Sequence, residues 1–251
     1  MDMLEKKQFG LLGKNISYSF SKKYFTEKFK DLQLEDYSYK NFDLQQIDDF
    51  PLILNENMDQ LKGFNVTIPY KEQIFKYLDE VDADAKKIGA VNTIKVMDDY
   101  RLKGFNTDAY GFENSLKPLL QGNEKSALIL GTGGASKAVA FVLSNLKINF
   151  NFVSRVPKKD NSISYKQLNE QIIKESLLIV NCTPLGTYPN IKDLPDIPYD
   201  FLNSDHILYD LIYNPSLTFF LQKGKEKGCT INNGEEMLQL QADRSWEIWN
   251  S

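Results

Sequence analysis

The chain has 251 residues, 42% of them hydrophobic and 25% charged, a balance that excludes a disordered or collagen-like protein. Thirty Lys and Arg against 34 Asp and Glu leave a net charge of -4, which disfavours non-specific binding to nucleic acid. Apolar runs such as Ala127–Leu130 and Ala138–Leu143 fall far short of the roughly 20 residues that cross a bilayer, the N-terminal stretch has no signal-peptide core, and two cysteines, Cys182 and Cys229, cannot build a disulfide framework or a Cys-rich zinc site. The expectation is a reduced, cytoplasmic protein with no nucleic-acid or membrane partner.

Strand and helix patterns alternate along the chain, which predicts an α/β fold. Phe9–Leu12 reads as a strand closed by Gly13, and Tyr24, Phe25, Phe29 and Leu32 recur at helical spacing within 21–32. Residues 37–42 alternate as a strand, and 60–66 end in a strand that meets Pro69. Residues 70–78 read as a helix with Ile74, Phe75 and Leu78 on one face. Next come a hairpin (90–97 and 101–104) about the polar turn Asp98-Asp99 and a helix over 108–120. A second pattern opens near Ser126: strand Ala127–Leu130, a glycine-rich turn, a helix to about Leu146, strand Phe150–Val153 and a helix over 165–173. Strands at 177–180 and 207–210, a helix over 216–227, a short strand at 230–231 and a last helix, Glu235–Trp249, complete it. Strands separated by helices imply right-handed parallel crossovers. A boundary near 107 predicts two domains, 1–107 and 108–234, with a cleft between them.

Gly131-x-Gly133-x-x-Ser136 follows a predicted strand and opens a predicted helix, the context in which a glycine motif becomes informative. Gly131 permits the tight turn, Gly133 lets backbone approach a pyrophosphate, Gly134 adds room, and the small Ser136 suits helix–sheet packing; the helix N-terminus offers free N–H groups to phosphate. A chain that binds NAD usually carries an acidic residue about 20 positions on. Here stand Asn151 and then Ser154-Arg155, with Lys158 and Lys159 behind. A guanidinium pairs bidentately with a 2′-phosphate, so NADP is favoured over NAD.

In the first half, Asn65 and Thr67 share a strand face, Pro69 stops the ladder, and Lys71 is placed in a first helical turn, where an ammonium is electrostatically unfavourable. The single histidine, His206, precedes a strand; it is read as structural, which leaves no Ser/His/Asp triad and no metal site.

Taken in order, these stretches resemble the shikimate dehydrogenase family. Asn65-Val66-Thr67-Ile68-Pro69-Tyr70-Lys71 is similar to its N-V-T-x-P-x-K motif, Gly89–Thr93 to G-A-x-N-T, and Gly104–Asp108 to G-x-N-T-D. Gly131–Ser136 is similar to G-x-G-G-A-[SA], Asn181–Gly186 to N-x-T-P-x-G, Tyr209–Tyr213 to Y-D-x-x-Y, and Gly234–Ala242 to G-x-x-M-L-x-x-Q-A. An N-terminal segment, Gly13–Ser21, is similar to the family's glycine and Ser-x-Ser stretch. The resemblance implies an N-terminal α/β substrate domain, a Rossmann-like NADP domain, and a last helix (235–251) returning to the first. It implies NADPH-dependent reduction of 3-dehydroshikimate to shikimate in aromatic amino acid biosynthesis, by a monomer or homodimer.

Roles follow by resemblance. Lys71 and Asp108 look like the catalytic pair: ketone reduction needs a proton for oxygen, and a lysine ammonium can donate it. Ser19 and Ser21 look like the pair that holds the substrate carboxylate, although Ser21 also suits a helix N-cap. Thr67, Asn92 and Gln241 resemble residues that hydrogen-bond ring hydroxyls, and so does Tyr213, for which core packing is an alternative. Asp108 also suits an N-cap. Gly131, Gly133, Gly134, Ala135 and Ser136 resemble the pyrophosphate turn, and Ser154 and Arg155 the adenosine segment. Thr183 is similar to a residue beside the cofactor, Leu211 presents backbone near the nicotinamide, and Gly234 leaves space there. Departures from the pattern are Asn15 in place of Pro, Tyr18 in place of His, and Ser154 and Val156 flanking Arg155. Alternatives are a quinate/shikimate dehydrogenase using NAD and a non-catalytic cofactor-binding relative.

Overall fold

The computed structural model describes residues 6–17, 19–157 and 161–251, which divide into two units: residues up to Thr107 together with Ala242–Ser251, and Asp108–Gln241. The first unit carries β1 (Lys7–Gly13), α1 (Phe20–Asp31), β2 (Tyr37–Asp43), α2 (Phe50–Asn57), β3 (Leu61–Val66), β4 (Glu80–Val81), α3 (Ala83–Ile88), β5 (Thr93–Val96) and β6 (Leu102–Phe105). Its sheet runs β2-β1-β3-β5-β6-β4. Strand β1 is parallel to both neighbours, while the predicted hairpin, β5 and β6, is antiparallel. A central parallel strand is covered on both faces, and β1 is apolar accordingly. Leu12 joins a cluster with Phe50, Phe64 and Ile94 on one face. Phe9 and Leu11 join Phe25, Phe29, Tyr39 and Trp249 on the other.

The segment over 70–78 is not the α-helix its periodicity suggests. It is a turn followed by a 3-10 helix, Gln73–Tyr77. The carbonyl of Lys71, which an α-helix would bond to residue 75, instead accepts the Val91 N–H at 2.8 Å. The premise of a helix dipole acting on Lys71 therefore falls. Helices α2 and α3 have no counterpart among the predicted elements, yet α3 carries ordinary stop and start signals: Asp82 caps its N-terminus and Gly89 ends it at φ 71.

The second unit holds α4 (Thr107–Leu116, beginning on the last residue of the first unit), β7 (Ser126–Leu130), α5 (Gly134–Asn145), β8 (Asn149–Ser154), β9 (Ser162–Ser164), α6 (Glu170–Glu175), β10 (Leu178–Asn181), β11 (Ile207–Asp210), α7 (Phe219–Glu226), β12 (Thr230–Asn232) and most of the first half of α8 (Glu235–Trp249). The strand order is β12-β11-β10-β7-β8-β9, and every pairing is parallel. Counted from β7, this is the order 3-2-1-4-5-6 of the dinucleotide-binding fold. Every residue of β10, and all of β7 after Ser126, is buried, as a strand covered on both faces requires. The predicted helix over 165–173 is split into a 3-10 turn, Tyr165–Gln167, and α6, because Asn169 turns extended (φ -139, ψ 177) and caps α6 through the Ile172 N–H. Helix α4 stops at Leu116, ahead of a 3-10 turn carrying Pro118.

Among the described residues no helix is long and apolar enough to cross a membrane, and no group of three or more His, Cys, Asp or Glu could hold a metal ion. His206 is buried, with Nδ1 bonded to Asn203 and Nε2 to the Ile173 carbonyl.

Candidate active site

In the second unit the glycine turn closes β7. Gly131 has φ 103, a conformation that side chains rarely adopt, and its N–H donates to the Val153 carbonyl at 2.9 Å. Gly133 is different. It is the N-cap of α5, at φ -79 and ψ -176, open to any residue, and a Cβ placed on it would meet nothing within 4 Å. Glycine suits this N-cap position, and the missing side chain leaves the backbone open to a ligand's approach. Gly134 and Ala135 open the first turn, and no side chain caps the helix, so its N–H groups face outward for an anion. Ser136 is buried and donates to the Gly133 carbonyl at 2.6 Å, bracing the turn. These features fit a dinucleotide pyrophosphate.

Strands β7 and β10 are neighbours at which the crossover direction reverses, the switch point where such sheets bind ligands. The loop after β10 lies against the turn: Thr183 Oγ1 donates to Asn181 Oδ1 at 2.7 Å, and a Cβ on Gly131 would stand 3.1 Å from Thr183 Cγ2. At the end of β8 the Ser154 hydroxyl is buried without a hydrogen-bond partner, and Arg155 and Val156 are exposed. A buried orphan hydroxyl beside an exposed guanidinium fits an adenosine carrying a 2′-phosphate. Lys158 and Lys159 lie outside the described residues, as does Tyr18.

Gly234 does not leave open space. A Cβ there would collide with the Leu211 carbonyl, and the Gly234 N–H donates to the Ile212 carbonyl at 3.1 Å; the glycine serves the main chain of Leu211 itself. Tyr213 is 38% exposed, which excludes the core-packing alternative.

The 211–213 loop is shaped by Asp210, quoted within a motif but given no role from sequence. Its Oδ1 accepts from the Ile212 N–H (3.1 Å) and Asn181 Nδ2 (3.0 Å), and its Oδ2 from Thr218 Oγ1 (2.6 Å). Burial pushes the Asp210 carboxyl up from the ordinary 3.8 to about 6, against the lowering effect of these hydrogen bonds. Because the folded form holds this proton more tightly than the unfolded chain, the associated stability is present below about pH 4 and is lost as pH rises through about 6. Between pH 4 and 7 the unfolding free energy of the protein should therefore fall relative to that of Asp210→Asn, by up to about 3 kcal/mol. Urea titrations giving a constant difference across that range would exclude this titration.

In the first unit Ser19, not Ser21, is the N-cap of α1: its Oγ accepts from the Lys22 N–H at 3.4 Å. Ser21 lies in the first helical turn, so the two serines do not share an extended loop. Asn15 takes φ 57, a conformation closed to proline, and its N–H donates to Asp43 Oδ1 at 2.9 Å.

Long-range backbone bonds gather three predicted residues at the end of β3. The Val66 N–H donates to the Asn92 carbonyl (2.8 Å), the Thr67 N–H to the Leu12 carbonyl (2.9 Å), and the Val91 N–H to the Lys71 carbonyl (2.8 Å). Thr67 and Lys71 are half-buried and Asn92 is buried. The Asn92 side chain is oriented by Thr107, whose N–H donates to its Oδ1 at 2.7 Å. In the second unit Asp108 is buried inside the first turn of α4, past the cap position, and Gln241 is buried on α8 with its Nε2 bonded to the Leu238 carbonyl.

A glycine turn at the switch point of a parallel sheet in this order, together with a second α/β unit whose backbone bonds bring Thr67, Lys71 and Asn92 to one strand end, defines a nicotinamide-dinucleotide oxidoreductase. The family pattern described as shikimate dehydrogenase substrate binding domain matches residues 11–94. Shikimate dehydrogenase (NADP(+)) of Clostridium beijerinckii is 40% identical over 252 residues, covering 96% of this chain and 91% of its own. The crystal structure of shikimate dehydrogenase 1 from Peptoclostridium difficile superposes with a TM-score of 0.84 at 38% identity, covering 97% and 91% of the two chains. That from Thermus thermophilus, in complex with NADP(H) and shikimate, gives 0.85 at 31% identity over 97% and 93%. The chain belongs to the shikimate dehydrogenase family.

Proposed function

We propose that the protein reduces 3-dehydroshikimate to shikimate with NADPH, in the route to aromatic amino acids. The observation that carries the proposal is the gathering of Thr67, Lys71 and Asn92 by the backbone bonds at the end of β3, in and beside the stretch that matches the substrate-binding pattern. Residues 1–107, with the last helix (235–251), form the substrate domain and 108–234 the cofactor domain. Ser19 and Ser21 hold the substrate carboxylate, and Thr67, Asn92, Tyr213 and Gln241 its hydroxyls. Lys71 donates a proton to the carbonyl oxygen as negative charge develops there, and Asp108 orients the ammonium. NADPH, when bound, supplies the hydride. Gly131, Gly133, Gly134, Ala135 and Ser136 hold its pyrophosphate, Ser154 and Arg155 its adenosine end, and Thr183 and Leu211 line its nicotinamide side, with Gly234 packed behind the Leu211 main chain. Two free thiols, Cys182 and Cys229, support a reducing cytoplasmic setting. The working assembly is a monomer or homodimer, which sedimentation measures directly.

The deciding experiment follows NADPH oxidation by the purified protein with 3-dehydroshikimate, with NADH and dehydroquinate in parallel. Turnover confined to NADPH and 3-dehydroshikimate supports the proposal. Preference for NADH or dehydroquinate transfers the protein to a quinate-type activity, and NADPH binding without turnover makes it a non-catalytic relative. Arg155→Ala should raise KM for NADPH roughly ten- to a hundredfold, the worth of charge-assisted hydrogen bonds, and leave KM for NADH unchanged; an equal loss with both cofactors would remove Arg155 from 2′-phosphate recognition.

A further inference from the structure

A chain of buried polar side chains runs through the first unit beneath the residues assigned to the substrate. The Tyr39 hydroxyl donates to Asn65 Oδ1 at 2.8 Å. Asn65 Nδ2 donates to Ser245 Oγ at 2.9 Å and to Thr93 Oγ1 at 3.3 Å. The hydroxyls of Ser245, Thr93 and Thr107 close a triangle with sides of 2.8, 3.2 and 3.2 Å. Thr107 then fixes Asn92 twice, through the N–H to Oδ1 bond and through Asn92 Nδ2, which donates to Thr107 Oγ1 at 3.0 Å. Ser245 and Thr93 are 0% exposed and Thr107 is 1% exposed.

Burying this many polar groups is costly unless each is paired. Simple packing of α8 against the sheet would be served as well by alanine at 245. The pairing has a directional consequence. Thr107 Oγ1 accepts from Asn92 Nδ2, so its own single proton must go elsewhere. Ser245, Thr93 and Asn92 Oδ1 are the acceptors within reach. Which of them takes it depends on the hydroxyl triangle, two corners of which, Ser245 and Thr93, also receive Asn65, Ser245 at the shorter distance.

We infer that Ser245 is a positioning residue for substrate binding: its hydroxyl, delivered by α8, orders the Thr93–Thr107 pair that orients the Asn92 amide. The inference rests on the assignment of Asn92 to the substrate. Its test is a double-mutant cycle of Ser245→Ala and Asn92→Ala, with KM measured separately for 3-dehydroshikimate and NADPH and folding checked by urea titration. Ser245→Ala should raise KM for 3-dehydroshikimate about five- to tenfold, the loss of one ordered hydrogen bond, with KM for NADPH unchanged. The double variant should be no worse than Asn92→Ala alone, because the hydroxyl acts through the amide. Thr93→Val, which keeps volume and removes the hydroxyl, should reproduce the pattern and carries the test if Ser245→Ala does not fold. Multiplying effects in the double variant, or unchanged KM in a folded Ser245→Ala, overturns the inference. Unchanged KM in Asn92→Ala overturns the assignment of Asn92, and the inference with it, while wild-type turnover continues to stand for the reaction itself.

Discussion

Replacing Lys71 by alanine is expected to cut turnover of 3-dehydroshikimate by about 10²–10⁴-fold, the usual worth of a positioned general acid, with KM for NADPH unchanged. The position is suited to a clean result. The backbone of Lys71 is tied by its carbonyl to the Val91 N–H, a bond that alanine keeps, and the side chain is half-buried rather than part of the apolar cluster around Ile74. The fold should therefore survive while the ammonium is lost. A ketone oxygen that gains negative charge without a nearby donor must take its proton from water, and the barrier rises accordingly. Steady-state rates within tenfold of wild type, in a variant with an unchanged urea midpoint, would remove Lys71 from the mechanism.

The second large effect is expected at Gly133. Valine there can adopt φ -79 without strain and would touch nothing in the protein within 4 Å of its Cβ, so stability should be little changed. The same side chain would stand over the uncapped first turn of α5 and hold a pyrophosphate away from the N–H groups. Losing two charge-assisted hydrogen bonds costs about 3 kcal/mol or more, so NADPH affinity should fall at least a hundredfold. Fluorescence titration with NADPH reads this directly, and KM for 3-dehydroshikimate should change far less. Tight NADPH binding by Gly133→Val would mean that the open volume above the turn is not the cofactor's. Gly131→Ala is a poorer probe, because φ 103 and the nearby Thr183 methyl would confound strain with ligand loss.

Between them the two units show how different kinds of information reach the structure. Apart from its edge strand β9, which lies in a polar stretch with no strand pattern, the parallel sheet of the second unit was legible because its signals are local. Ala127–Leu130 and 177–180 are short apolar runs, and Gly131 and Gly133 punctuate the strand-to-helix turn that follows the first. The last helix was legible to its ends, Glu235–Trp249. The segment over 70–78 misled for the opposite reason: its spacing is helical, but a bond from Val91 captures the Lys71 carbonyl, and Tyr70 is drawn to the Leu44 carbonyl at 2.6 Å. Such competitors lie about 20 or more residues away, beyond any local pattern.

The candidate site divides in the same way. Residue types in motif order, from Asn65-Val66-Thr67 to Gln241-Ala242, carry the family and its chemistry without reference to shape. What those residues touch was not written in their spacing. Serine suits an N-cap equally at 19 and 21, and only Phe20 entering the helix assigns the cap to Ser19. Gly234 reads as room for a ligand until the Leu211 carbonyl is found against it. Asp210 and Ser245 have no local signature of their role, because their partners, Asn181 and Thr218 for one and Asn65, Thr93 and Thr107 for the other, meet them only after the sheets have formed. By itself the sequence determined the α/β class, the glycine turn and the family, since these depend on residue type and near neighbours. Tertiary structure alone decided which hydroxyl caps, which carboxyl is buried and which amide is held, since a hydrogen bond between residues 180 positions apart exists only when the fold pairs them.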